Sequence, residues 1–227
     1  MAGIWPYGDE KMKWVSRFVI LVITVTAMTT QVAYVKVNLS TDTVIEQCPF
    51  FTMGLGIFLK ELNYIIHEQQ LRKLLGCVFA DWIVKRPKPE MDIMDKYAKR
   101  GLFFSRLYVA NGIFCYVLFT AVAITPRVLD LISPKNESRG VGFIYPANYG
   151  VDEEEHYYYL MGHMLSVITV VFFVYISCDT IYMNIVQHAC GLLNLSGTRS
   201  FMINYTEVDD TYRKVRHSIK AHQHAME

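Results

Sequence analysis

Seven histidines and five cysteines are the residues of this chain best suited to chemistry, and their spacing decides which chemistry. His217-Ser-Ile-Lys-Ala-His222, followed by His224, has the spacing of one histidine box of a di-iron site. Such a site needs several boxes on one face, and only this one occurs. His67, His156, His163 and His188 are scattered. On a helix His217 and His224 share a face while His222 stands apart from His217, which is the pattern of a solvated helix. Nucleophilic catalysis has no Gly-x-Ser-x-Gly elbow, and Asp179 and His188 lie nine residues apart inside one helical run. Cys48, Cys77, Cys115, Cys178 and Cys190 form no Cys-x-x-Cys pair. An odd, dispersed set argues against a disulfide framework and against a zinc ribbon. No phosphate loop or dinucleotide fingerprint occurs, and a net charge of +1 gives no field for nucleic acid. The chain reads as a non-enzyme, with no metal, no cofactor and no nucleic-acid partner. One histidine is differently placed: His163 interrupts an apolar run at hydrocarbon depth, where a polar side chain marks a function or a bond to a neighbouring helix.

The elements that position these residues are apolar. The 227 residues are 52% hydrophobic and 19% charged, with a mean hydropathy of +0.21. That is more apolar than is usual for a soluble domain of this length, and the excess is concentrated in segments. A helical span needs about 20 mostly apolar residues. Phe18 to Val35 is uncharged, and its polar content is threonine, which can bond back to its own helix. Leu107 to Pro126 is a second clean run, and Tyr157 to Cys178 a third, broken by His163. Gln47 to Leu59 is uncharged until Lys60 and Glu61 interrupt it. These are adjacent and so do not share a face, and a lysine near a span's end can snorkel to the interface. The start, MAGIWPYGDEKMKW, lacks the short uninterrupted apolar core of a cleaved leader. The expected fold is all-α: a polytopic helical membrane protein with four transmembrane helices and long cytoplasmic helical extensions.

Lysine and arginine counts orient the spans. The start carries three, the segment from His67 to Gly101 eight, and the stretch from Gly191 onward five, against none from Asn38 to Gln47 and three from Arg127 to His156. The expected organisation is a cytoplasmic tail at 1–17, spans at 18–37, 47–66, 102–126 and 157–183, outer loops at 38–46 and 127–156, a cytoplasmic helical linker at 67–101, and a cytoplasmic helical tail at 184–227. The N-terminus is inside, in a multi-pass protein of the cell membrane. Asn136 then becomes the candidate glycosylation acceptor in the larger outer loop, while the Asn194 and Asn204 sequons fall inside. Within the linker, Leu71, Leu74, Leu75, Val78, Phe79, Trp82 and Ile83 share one helical face, with Asp81 off it. The run KRPKPE then stops that helix.

Two quoted stretches go further. VDEEEHYYYLMGH, from Val151 to His163, and CDTIYMNIVQHACGLLNLSGTR, from Cys178 to Arg199, together resemble the insect odorant receptors. The matching elements are Asp152 with acids and aromatics behind it, His163 early in the fourth span, Asp179-Thr180, the run Gln187 to Gly191, and Arg199. The GIWP run at Gly3 to Pro6 and the terminal IKAHQHAME fit as well. The resemblance implies a seven-helix receptor with its N-terminus inside, here cut after the fourth span. It further implies assembly with a co-receptor subunit into an odorant-gated cation channel whose seventh helix lines the pore. A larger loop between the third and fourth spans is also a tetraspanin trait, but this loop holds no cysteine.

In that family the pocket lies in the outer half of the bundle. Carried onto these spans, the candidates for contact with a small, volatile, apolar odorant are Phe50, Phe51 and Met53, then Tyr116 and Phe119, then Tyr158, Tyr159, Met161, His163 and Met164. Methionine suits such a site because it reshapes easily. Asp179, Gln187 and His188 are expected to make structural polar contacts. The competing readings are a membrane di-iron oxidase of the desaturase type and a small four-span scaffold protein.

Overall fold

Long apolar segments satisfy their backbone in hydrocarbon only as helices or closed barrels. The computed structural model, described over residues 3–133, 142–201, 215, 216, 219, 220 and 223, contains five helices and no strand among those residues. They are α1 (Glu10–Val37), α2 (Thr41–Ile66), α3 (Glu68–Ile83), α4 (Lys88–Ile132) and α5 (Tyr157–Phe201). Asn136 and the histidines 217, 222 and 224 lie outside the described residues.

Local chemistry sets the ends. Ser40 caps α2, its hydroxyl accepting the Thr43 amide at 3.1 Å. Pro87 cannot extend α3, and its carbonyl accepts the amides of Glu90 and Met91 as α4 begins. The KRPKPE stop is therefore real. Within α1, the hydroxyls of Thr26, Thr29 and Thr30 donate to carbonyls one turn back. Helix α4 does not end at Pro126 but continues to Ile132, and α5 runs on past 183, as a helical tail would, to Phe201. A proline costs one backbone bond, to the carbonyl four residues earlier, and the remaining ladder of a 45-residue helix is enough to carry α4 through it.

Three helices, α1, α4 and α5, are long and apolar enough to cross a membrane. Helix α2 has the length, but Glu46 and Gln47 near its start and Lys60, Glu61 and Asn63 near its end dilute its hydrocarbon, and it is not among the three.

The described chain forms two units. The first takes residues within 1–71 and 110–178, the second residues within 72–109 and 179–227. In the first unit α1 turns a polar face inward: Lys13, Arg17, Thr24 and Gln31 are buried together with Ile20 and Ala27, whereas Phe18, Val22 and Val25 are exposed. Its core gathers Ala27 from α1, Ala123 from α4, and Tyr157, Met161, Met164 and Val167 from α5 around a non-helical stretch, Ile144, Tyr145 and Ala147. Residues 143–149 fold back into the unit because they are aromatic and aliphatic.

In the second unit Met94 is buried, and a side chain at Gly101 would place its Cβ 2.8 Å from Asn184 Oδ1. The polar interior here takes in the off-face Asp81 and leaves much of the apolar face of α3 exposed. Asp81 is 6% exposed and Leu75 is buried, while Leu74, Phe79, Trp82 and Ile83 are exposed. The reason is a partner distant in sequence: Asp81 Oδ2 lies 3.0 Å from His188 Nε2 on α5.

Candidate functional site

Helix α5 places His163 half-buried at the edge of the first unit's core, between the buried Met161 and Met164 in sequence. Its Nε2 lies 3.0 Å from Thr26 Oγ1 on α1, and its Nδ1 lies 2.8 Å from the Tyr149 hydroxyl. The single proton of Thr26 is already directed to the carbonyls of Val22 and Ile23. Bond satisfaction therefore assigns the imidazole proton to Nε2, donating to Thr26, with Nδ1 accepting from Tyr149. The Tyr149 ring meets the imidazole edge-on at 5.6 Å and 85°.

Tyr149 belongs to the inserted stretch 143–149, which three contacts hold in place. The Asn148 amide donates to the Thr30 carbonyl at 3.0 Å. The Gln47 side-chain amide donates to the Pro146 carbonyl. Tyr145 packs its ring 5.9 Å from that of Phe50. Burial pushes the phenols of Tyr145 and Tyr149 above their ordinary range, so both stay protonated. At the start of α5, Arg127 places its guanidinium 4.7 Å over the Tyr157 ring, a cation–π contact that lets a charge sit against an aromatic surface. The result is a packed aromatic and thioether cluster around one satisfied imidazole.

Of the ten sequence candidates, Phe50, Met161, His163 and Met164 come together at this cluster. Tyr116 lies further along the α4–α5 contact, its hydroxyl 3.1 Å from Thr169 and its ring 5.7 Å from Phe172. Phe51 lines a separate cavity between α1 and α2. Met53 and Phe119 are exposed, and Tyr158 and Tyr159 are the most exposed of all, at 84% and 82%. Thr26, Tyr145 and Tyr149 are the residues sequence reasoning missed. The signal available was the aromatic content of FIYPANY, too apolar for a stretch bathed in water.

The run that carries the family resemblance forms the polar interior of the second unit. Asp179 accepts from the Tyr108 hydroxyl at 2.7 Å, and His188 meets Asp81, which also pairs with Arg86 at 3.0 Å. Arg199 makes a two-pronged pair with Glu90 at 2.7 and 2.6 Å. Asp179 and His188 thus make the polar contacts expected of them. Among the described residues no three metal-ligating side chains converge.

No protein-family model matches the chain, and comparison with curated proteins returns no match.

Proposed function

We propose that this chain is a multi-pass membrane protein acting as a receptor subunit for small, volatile, largely apolar ligands, of the insect odorant-receptor type. One observation carries the reading: a single imidazole, His163, bridged to Tyr149 and Thr26 among methionines and aromatics, inside a unit whose helices turn hydrocarbon outward. That combination offers a small ligand shape and dispersion with one polar handle, the composition usual for small-molecule sites. The spacing Asp179-Thr180, Gln187 to Gly191 and Arg199 supports the same reading.

In this reading α2 also crosses, as the second of four spans. Its charges are compatible with that. Lys60 holds its ammonium 5.0 Å over the Tyr175 ring, and Glu61 is on the buried face. The N-terminus and the linker after α2 are then cytoplasmic, by the lysine and arginine bias. The ligand site lies in the outer half of the bundle, and a gated cation current arises in assembly with a co-receptor subunit.

The test is binding. The purified chain in lipid nanodiscs is titrated with a panel of volatile esters, ketones, alcohols and aromatics, read by tryptophan fluorescence and by the shift of melting temperature. At least one panel member binds, and His163→Leu or Tyr149→Phe weakens it by about tenfold, the loss of one buried hydrogen bond. Undiminished binding in both variants removes His163 from the site, and no binding across the panel sinks the receptor reading.

A further inference from the structure

The N-terminal part of α4 changes character in a fixed order. The acids Asp92 and Asp95 come first, then Lys96, Lys99 and Arg100, then Phe103 and Phe104, and these residues line one open groove of ≈ 490 Å³. Spacings of three, four and seven residues put Lys99, Arg100 and Phe103 on the face of Lys96. The three cations are exposed, and the two rings stand open at 63% and 46%. Little within the second unit answers the positive charge. Lys99 reaches Asp95 at 3.4 Å, with both side chains in the open, and such exposed pairs contribute little. Arg100 lies 5.4 Å over the Tyr97 ring, which leaves its charge uncompensated. Lys96 makes no ion pair among the described residues. Lys96 and Arg100 are like charges four residues apart, an arrangement that destabilises a helix and that an anion between them relieves. Asp92, the remaining carboxylate, stands one turn further from the apolar run.

We infer that this face of α4 binds an anionic phospholipid of the adjoining leaflet, with Lys96 and Arg100 on the headgroup and an acyl chain along Phe103 and Phe104. The axial distance fits. From Arg100 to Phe104 the helix rises about 6 Å, at 1.5 Å per residue. One headgroup region is about 5–8 Å deep, half the difference between the whole bilayer and its hydrocarbon. A phosphate free in solution would use the cations and leave two phenylalanines in water. An apolar partner would cover the rings and desolvate the cations without an anion. A lipid of negative charge uses both. The groove also lies in the segment richest in lysine and arginine, which faces the cytoplasmic leaflet, where anionic lipid is concentrated. The inference rests on the proposed membrane crossing of α4, and it uses neither His163 nor an odorant.

The experiment is photolabelling of the full chain in phosphatidylcholine nanodiscs doped with a phospholipid that carries a diazirine near the glycerol end of one acyl chain. The probe has either a phosphatidylserine or a phosphatidylcholine headgroup, and adducts are mapped by peptide mass spectrometry. The phosphatidylserine probe labels residues 102–107 about 25-fold more than the phosphatidylcholine probe, two cations each contributing about fivefold. The two probes label the outward face of α1 equally. Lys96→Gln and Arg100→Gln, both at exposed positions, each cut the preference about fivefold, and Lys11→Gln at the start of α1 leaves it unchanged. Equal labelling of 102–107 by the two probes overturns the inference, and so does an equal loss in Lys11→Gln, which would make the preference a diffuse field. Loss of the preference in inorganic phosphate, but not in chloride of the same ionic strength, assigns the cations to a soluble anion and overturns it as well. Adducts from neither probe anywhere on α4 would instead show that α4 is not in the bilayer, a failure of the membrane reading itself.

Discussion

Lys13 and Arg17 stand one helical turn apart on α1, both nearly inaccessible, and both reach Glu68 at the first residue of α3. Arg17 Nη2 meets Glu68 Oε2 at 2.9 Å, and the same guanidinium donates from Nε to the Gly3 carbonyl at 3.1 Å. Gly3 can present that carbonyl because it takes φ 62°, which a larger side chain resists. The two cations hold the Glu68 carboxyl below its usual range, the bond from Lys13 contributing most. A carboxylate with a depressed folded pKa stabilises the fold fully above its unfolded value of about 4.3, and the contribution is lost as pH falls through the lower folded value. Melting temperatures in detergent, followed by tryptophan fluorescence, should therefore fall on acidification below about pH 4. Glu68→Gln should cost about 2 kcal/mol at neutral pH, because it leaves the buried Arg17 without its carboxylate while Lys13 keeps Glu10 at 2.7 Å, and should flatten that acid limb. An acid limb unchanged in Glu68→Gln would show that other carboxylates govern it.

Helices α4 and α5 meet in the second unit at a contact that one missing side chain makes possible. The Cβ absent from Gly101 would stand 2.8 Å from Asn184 Oδ1 and 3.5 Å from Gln187 Cβ. Gly101→Leu should overpack this crossing and lower stability by about 2 kcal/mol. Gly197→Ala on the same α5 meets nothing within 4 Å, so it should raise stability by up to about 1 kcal/mol through helix propensity alone. Equal melting shifts in the two variants would mean that Gly101 is not at a packed crossing. The helices themselves were legible, because apolar length and threonine back-bonding are local properties, and Pro87 stops a helix by its own chemistry. Three features were not legible. Pro126 reads as a terminus, yet a long ladder passes through it. Asp81 reads only as lying off the apolar face of its helix, and the contact that ties it to α5, with His188, is 107 residues away. Residues 143–149 carry turn-forming Pro146, which masks an apolar insertion. Of the candidate site, His163 and its two methionines were readable from one helix, but Thr26 and Tyr149 depend on contacts 137 and 14 residues away.

At the scale of the molecule, the most apolar stretches of α1, α4 and α5 are only 22%, 6% and 22% buried, so most of their hydrocarbon faces outward. Meanwhile Lys13, Arg17, Thr24, Gln31, Gln47 and Glu61 are inside. A water-soluble protein has the reverse distribution, since burying polar groups costs free energy that outward apolar groups do not repay in water. Lipid as the surrounding medium would reverse the sign for the outward face, and under the proposed membrane reading the number of crossings is a question about α2. If α2 crosses, α3 lies on the same side as the N-terminus, and the segment before α5 lies opposite. If α2 does not cross, both assignments invert. A membrane-impermeant maleimide, applied to intact cells and read by peptide mass spectrometry, separates the two. Cys77, exposed on α3, should stay unlabelled until the membrane is permeabilised, while Ser40→Cys and Glu153→Cys should label from outside. The exposed Cys48 is replaced by serine beforehand to keep the readout clean. Labelling of Cys77 together with Ser40→Cys in intact cells, with Glu153→Cys protected, would reduce the crossings to α1, α4 and α5 and place residues 143–149 and Tyr149 on the cytoplasmic side, where a volatile ligand arriving from outside could not meet His163 first.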